Sequence, residues 1–74
     1  MKYLKYKLYE YDSDGNPVYY AELAGTSSET KPTTALVSGS KFTEVNTGKT
    51  FVFDGISETP AWNEVVVATA EVTP

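Results

Sequence analysis

Four residues within the stretch EYDSDGNPVYYA are spaced as if to hold a cation. Glu10, Asp12, Asp14 and Gly15 fall at positions 1, 3, 5 and 6 of a twelve-residue calcium loop. Calcium there would need several oxygens converging at about 2.3–2.6 Å, with a bidentate Glu closing the loop. The closing position is Ala21, the first is Glu rather than Asp, and both flanks alternate like strands. A hairpin turn is the expected structure. Asp54 with Glu58, or Glu44 with Asp54, would be the pairs for acid–base work. Glycosidic chemistry sets two such carboxyls about 5–9 Å apart across a cleft. A chain of 74 residues has little room for one. With no His and no Cys, the usual general base, the commonest neutral metal ligand and the thiolate nucleophile are all missing. The chain is expected not to be an enzyme, with no catalytic, cofactor-binding or metal-binding residue and no cofactor.

Aromatic residues offer contact chemistry instead. Trp62 and the tyrosines suit either stacking on sugars or anchoring protein interfaces. Trp62 opens an apolar segment, which assigns it to a core. Tyr19 and Tyr20 are neighbours on a strand, so one of them points outward. Val65, Val66 and Val67 make a segment apolar on both faces, of the kind that is covered on both sides. Tyr19, Tyr20, Val65, Val66 and Val67 are therefore the expected protein-contact residues.

The elements that position these residues are short. Lys2 to Tyr11 alternates, with Leu4, Tyr6 and Leu8 expected on one face and Lys5 and Lys7 on the other beside Tyr3, Tyr9 and Tyr11. All six tyrosines lie in the first twenty residues, which favours strand over helix. The turn chemistry of Asp12 to Pro17 leads into a second strand, Val18 to Leu23. Val18, Tyr20 and Glu22 share one face, and Tyr19, Ala21 and Leu23 the other. Ala24 to Thr34 reads as a loop, and Ala35 to Val37 as a short bridging strand. Lys41 to Val45 and Lys49 to Asp54 form a second hairpin around Asn46-Thr47-Gly48, with Gly48 in the left-handed region. Phe42 should meet Phe51 or Phe53 across it. A last strand is expected from Asn63 to Val72.

The expected fold is a single all-β domain over residues 1–74, a small antiparallel sheet or sandwich with no long helix. Residues 1–24 form a Tyr-rich hairpin, 25–38 a connecting loop, and 39–74 a second hairpin and C-terminal strand. A chain this short buries only about 60% of the surface exposed when unfolded. Small domains compensate with disulfides, metals or association. Without Cys or His, association remains, and a homo-oligomer is expected.

Charge narrows the partners. The net charge is −4, from ten acidic and six basic residues, and there is no Arg. Arg is the preferred fork for phosphates and base edges, so nucleic acid is not an expected partner. The lysine–tyrosine interleaving of KYLKYKLYEY reads as a strand with a solvated lysine face. No apolar run of signal-peptide or membrane-spanning length follows the early lysines, so neither a leader nor a membrane partner is expected.

The stretch from Ser27 to Trp62 resembles a module of small phage and prophage structural proteins of Gram-positive hosts. The matching residues are Lys31-Pro32-Thr33, Gly39-Ser40 with Phe42, Thr47-Gly48-Lys49, Phe51 to Gly55, and Trp62. Asn46 stands where the module has Asp, and the ISETPA insertion before Trp62 is longer than usual. About half the chain is covered, and the Tyr-rich hairpin lies outside. The resemblance implies a structural protein of the virion, assembled in the host cytoplasm. A capsid decoration or head-surface protein is the first expectation, bound to the major capsid protein or another virion protein as a homo-oligomer such as a trimer. The alternative is a tail or fibre adsorption module that binds host carbohydrate through Tyr19, Tyr20, Asn16 and Asn63.

Overall fold

A computed structural model describes residues 1–66. It is all-β, with five strands: β1 Lys2–Tyr11, β2 Pro17–Gly25, β3 Lys41–Glu44, β4 Lys49–Asp54 and β5 Ala61–Glu64. They form one sheet in sequence order. The two expected hairpins are present. Their junction corrects the antiparallel expectation: β2 and β3 run parallel, with Leu23 opposite Phe42. Parallel neighbours need a crossover of a dozen or more residues, and residues 26–40 supply it. There is no second sheet among the described residues. The crossover itself is the covering layer.

Both turns follow from local chemistry. In the first, Asp12 Oδ1 accepts the N–H groups of Asp14 and Asn16, each at 2.9 Å. Those bonds commit Asp12 to the backbone, as the hairpin reading requires. In the second, Gly48 has φ 78° and its N–H donates to Glu44 O at 2.8 Å. An L side chain resists that region of backbone space. The resulting register sets Phe42 opposite Phe51.

The core is thin. Ala21, Leu23, Leu36, Phe42 and Phe53 are the buried apolar residues, with Tyr19, Phe51 and Trp62 packed at its margin. Cross-strand pairing places Leu23, Phe42, Phe51, Phe53 and Trp62 on one face. Over that face runs the crossover. Leu36 bridges to Tyr19 in parallel, with Tyr19 N–H bonded to Ala35 O and Val37 N–H to Tyr19 O, both at 2.9 Å. Ala35 adopts φ 62° to make this turn. Gly25 lets β2 pass close to Phe42: a Cβ there would lie 2.9 Å from the ring.

The crossover is also tied down by polar contacts. Lys31 Nζ donates to Glu44 Oε2 at 2.8 Å and lies 4.7 and 4.4 Å from the Phe42 and Phe51 ring centroids. Trp62 Nε1–H donates to Pro32 O at 2.8 Å. Ser40, fully buried, accepts the Ala21 N–H on its Oγ at 3.1 Å. Lys31, Pro32, Phe42, Phe51, Phe53 and Trp62 are thus packed together in one aromatic cluster.

Two expectations about strands change. The β1–β2 register shifts between Tyr3 and Lys5 and again between Leu8 and Glu10. Each shift inserts an extra residue and exchanges faces. Tyr3 therefore joins Tyr6 and Leu8 rather than the lysines, and Leu4 falls in the irregularity. β5 ends at Glu64, with Val65 and Val66 outside it, and residues 67–72 of the expected last strand lie outside the described residues. Val65 adds one further bond, its N–H donating to Thr50 O at 2.8 Å.

Candidate protein-contact surface

The crossover covers β2 through β5 and stops short of β1. Every residue of β1 is exposed. Tyr6 stands opposite Ala21, Leu8 opposite Tyr19 and Tyr3 opposite Leu23, so the inner face of β1 prolongs the core face. An aromatic ladder runs along it. Tyr3 meets Tyr6 edge to face at 5.0 Å, and Tyr6 stacks on Tyr19 at 4.5 Å between centroids. Such pairs are favourable geometries for aromatic rings and hold the side chains in place. Tyr3, Tyr6 and Leu8 still show about half of their surface to solvent, at 46%, 52% and 46%. Partial burial raises the Tyr6 phenol above its ordinary value, and the neighbouring Tyr19 and Tyr3 add to the shift. The Tyr6 phenol is a neutral hydrogen-bonding group at neutral pH.

On the opposite face, Lys5 lies across from Glu22 and Lys7 across from Tyr20. Tyr20 donates its hydroxyl to Glu22 Oε2 at 2.7 Å. That bond chiefly holds the Glu22 carboxyl below its usual range, with Lys5 and Lys41 contributing. Lys5, Lys7, Tyr9, Tyr20 and Glu22 line a shallow open groove. The strand thus offers an aromatic face and a cationic face.

The expected contact residues separate in this geometry. Tyr19 and Tyr20 both lie on β2 and are half-buried, Tyr19 within the ladder and Tyr20 on the lysine side. Val65 and Val66 do not form the centre of a two-sided strand. They follow β5, with exposures of 41% and 80%. The reason is the early end of pairing after Thr50, where β4 runs into its turn. Val67 lies outside the described residues. The carbohydrate set is dispersed as well. Asn16 sits in the β1–β2 turn, while Asn63 is on β5, three strand positions from β2. At about 4.8 Å per strand, those groups do not converge on one sugar ring.

The carboxylates considered for acid–base chemistry have structural partners. Asp54 accepts the Ile56 and Ser57 N–H groups and the Ser57 hydroxyl, the last at 2.7 Å and the largest cause of its lowered pKa. Glu44 accepts from Lys31 and from the Thr47 hydroxyl, in that order of influence, and its pKa is lowered too. Among the described residues, no group of His, Cys, Asp and Glu is placed to hold a metal ion.

Two features escape a reading of residues alone. The ladder depends on an irregularity at Leu4 that has no residue signature. The Lys31–Glu44 pair joins a loop to a strand without any local spacing rule. Compared against protein-family models, curated proteins and solved structures, the chain gives no match.

Proposed function

We propose that this chain is a structural protein of a bacteriophage virion, a decoration protein of the head that binds the major capsid protein and associates with its own copies. The observation that carries the contact role is β1: ten residues, all exposed, bearing an ordered Tyr3–Tyr6–Tyr19 ladder on the face that elsewhere is core. Aromatic side chains held rigidly at a surface lose little entropy on binding and are enriched where proteins meet. The virion setting rests on the resemblance of residues 27–62 to a phage structural module, of which Lys31, Pro32, Phe42 and Trp62 pack together.

The mechanism is physical. Packaged DNA pushes outward, and contacts across capsomer joints resist separation. Outer contacts of about 800 Å² per partner are of standard size. Repeated around a shell, even weak ones add up through multivalency. The test is to separate heads from tails, locate the chain by mass spectrometry, and compare DNA release on warming from heads with and without it. Location in heads and earlier release without the chain are expected. Location in tails, with reduced adsorption to cells and unchanged release, would replace this reading by the fibre adsorption module.

A further inference from the structure

We infer that the outer edge of β1 pairs with the outer edge of β5 in a second copy of this chain, extending the sheet head to tail. The inference deepens the self-association proposed above and rests on that part of it, not on the virion setting.

Both edges are without a neighbour among the described residues, because β1 and β5 are the end strands. Their free backbone groups match. Val65 N–H points inward to Thr50 O, so alternation along an antiparallel strand turns Trp62 and Glu64 outward. On β2, Ala21 N–H goes to Ser40 Oγ and Tyr19 N–H to Ala35 O, both away from β1. Their partners Tyr6 and Leu8 therefore turn their own N–H and C=O groups to the outer edge.

Direction and face agree as well. Following the pairings across the sheet, β1 and β5 run in opposite senses. An outer β1 edge meets an outer β5 edge in antiparallel pairing only with the same face of both sheets upward. The side chains on that face are Tyr6 and Leu8 on β1, and Trp62 and Glu64 on β5, the same residues whose backbones point outward. A single antiparallel register sets Leu8 opposite Trp62 and Tyr6 opposite Glu64. It joins the exposed tyrosine ladder of one copy to the aromatic cluster of the next. On the other face it sets Lys5 over Val65, whose exposed surface a lysine stem can cover.

Charge selects this pairing over its rivals. β1 carries Lys2, Lys5 and Lys7 against Glu10, whereas β5 carries Glu64 and no lysine. The ion pairs among the described residues are Met1–Glu29 and Lys31–Glu44, which use none of these groups. Pairing β1 with β1 would bring lysines together, and pairing β5 with β5 would bring glutamates together. Head-to-tail contact brings opposite charges together, and it closes into rings or continues as a filament according to the rotation between copies.

The experiment uses the purified full chain in sedimentation velocity over a concentration series. Wild type should self-associate. Lys5→Glu with Lys7→Glu, or Glu64→Lys, should each weaken association about tenfold or more, as both edges then carry charge of the same sign. Mixing the two variants, or placing all three changes in one chain, should restore it. Far-UV circular dichroism checks that each variant is folded. The register is read separately. The chain has no cysteine of its own, so a Tyr6→Cys chain mixed with a Glu64→Cys chain should form a heterodimeric disulfide on mild oxidation. Monomeric wild type at every concentration would overturn the inference. So would charge variants that associate like wild type, or Tyr6→Cys chains that cross-link among themselves in preference. None of these outcomes depends on where the protein resides in a particle.

Discussion

The β1–β2 and β3–β4 hairpins are built alike and end up in opposite environments. Each is antiparallel, closed by a turn with a left-handed glycine, and lined on one face by aromatic residues. In the second hairpin, Phe42 and Phe53 are buried. In the first, Tyr3 and Tyr6 are half exposed on the same face of the same sheet. The difference is the crossover, which lies over β2 to β5 and stops short of β1. Alternation therefore sets which side chains share a face, while burial depends on what lies above it. The choice of Tyr over Phe fits this. A phenol tolerates water in the free chain and still offers apolar area to a partner.

The sharpest way to break this contrast is to cut equivalent aromatics from both hairpins. Phe42→Ala should cost about 3–5 kcal/mol, as expected for a large buried ring whose neighbours cannot collapse around the space. That is much of the stability available to a domain this small, on the order of 0.1 kcal/mol per residue. Urea denaturation should show the variant's midpoint far below that of wild type.

Next in size is the tie that holds the crossover over β3 and β4. Lys31→Met leaves the buried Glu44 carboxylate without its ammonium, and its urea midpoint should fall clearly below wild type. Lys31→Met combined with Glu44→Gln should recover part of the loss, since no uncompensated charge then remains. The same pair sets a pH dependence. The folded-state pKa of Glu44 is lowered, first by Lys31 and then by Thr47. Its contribution is complete above the ordinary carboxylate value and disappears as pH falls through the lowered one. Melting temperature should drop on acidification through that window, and drop less in the double variant.

Gly48→Val tests the turn of the covered hairpin. A β-branched residue at φ 78° should cost about 1–2 kcal/mol, even though a Cβ there would meet no atom within 4 Å. An unchanged melting temperature would show that the turn is not held in this form. The smallest effect belongs to the uncovered hairpin. Tyr6→Thr should lower the melting temperature less than Gly48→Val, because the ring it removes is already half in water. The same change should weaken self-association, and a stability loss as large as that of Phe42→Ala would erase the contrast between the two hairpins.

Much of the architecture is legible in the residues. Alternation, the Asp12–Pro17 turn residues and Gly48 locate four strands and both hairpins to within a residue or two. The parallel joint is not legible, because a polar loop such as 26–40 can return a chain in either sense. The faces of β1 are misassigned by simple alternation, since the register shifts around Leu4 and Tyr9 come from fitting a long strand to its partner. Val65 and Val66 are read as strand because apolar content persists there after pairing with β4 ends. For the contact surface, tyrosine enrichment points to the right third of the chain. Which tyrosines act together emerges only when Tyr3, Tyr6 and Tyr19 are placed on one face.

The parallel β2–β3 joint also shapes how the chain reaches this structure. Hairpins zip from their turns, and β1–β2, β3–β4 and β4–β5 each join segments that are neighbours in sequence. Among the described strand pairs, only Glu22–Gly25 with Lys41–Glu44 must be brought together across residues 26–40, with no turn to nucleate it. The loop-closure entropy falls on that one step, before Leu36, Lys31 and Ser40 find their partners. Contact order therefore favours two preformed hairpins that dock through the crossover, and predicts docking as the slow step in stopped-flow refolding. Until it occurs, the chain presents the unshielded edges of β2 and β3 in addition to those of β1 and β5. Newly made copies are therefore most prone to stray strand exchange during that interval, and least so once the crossover has closed.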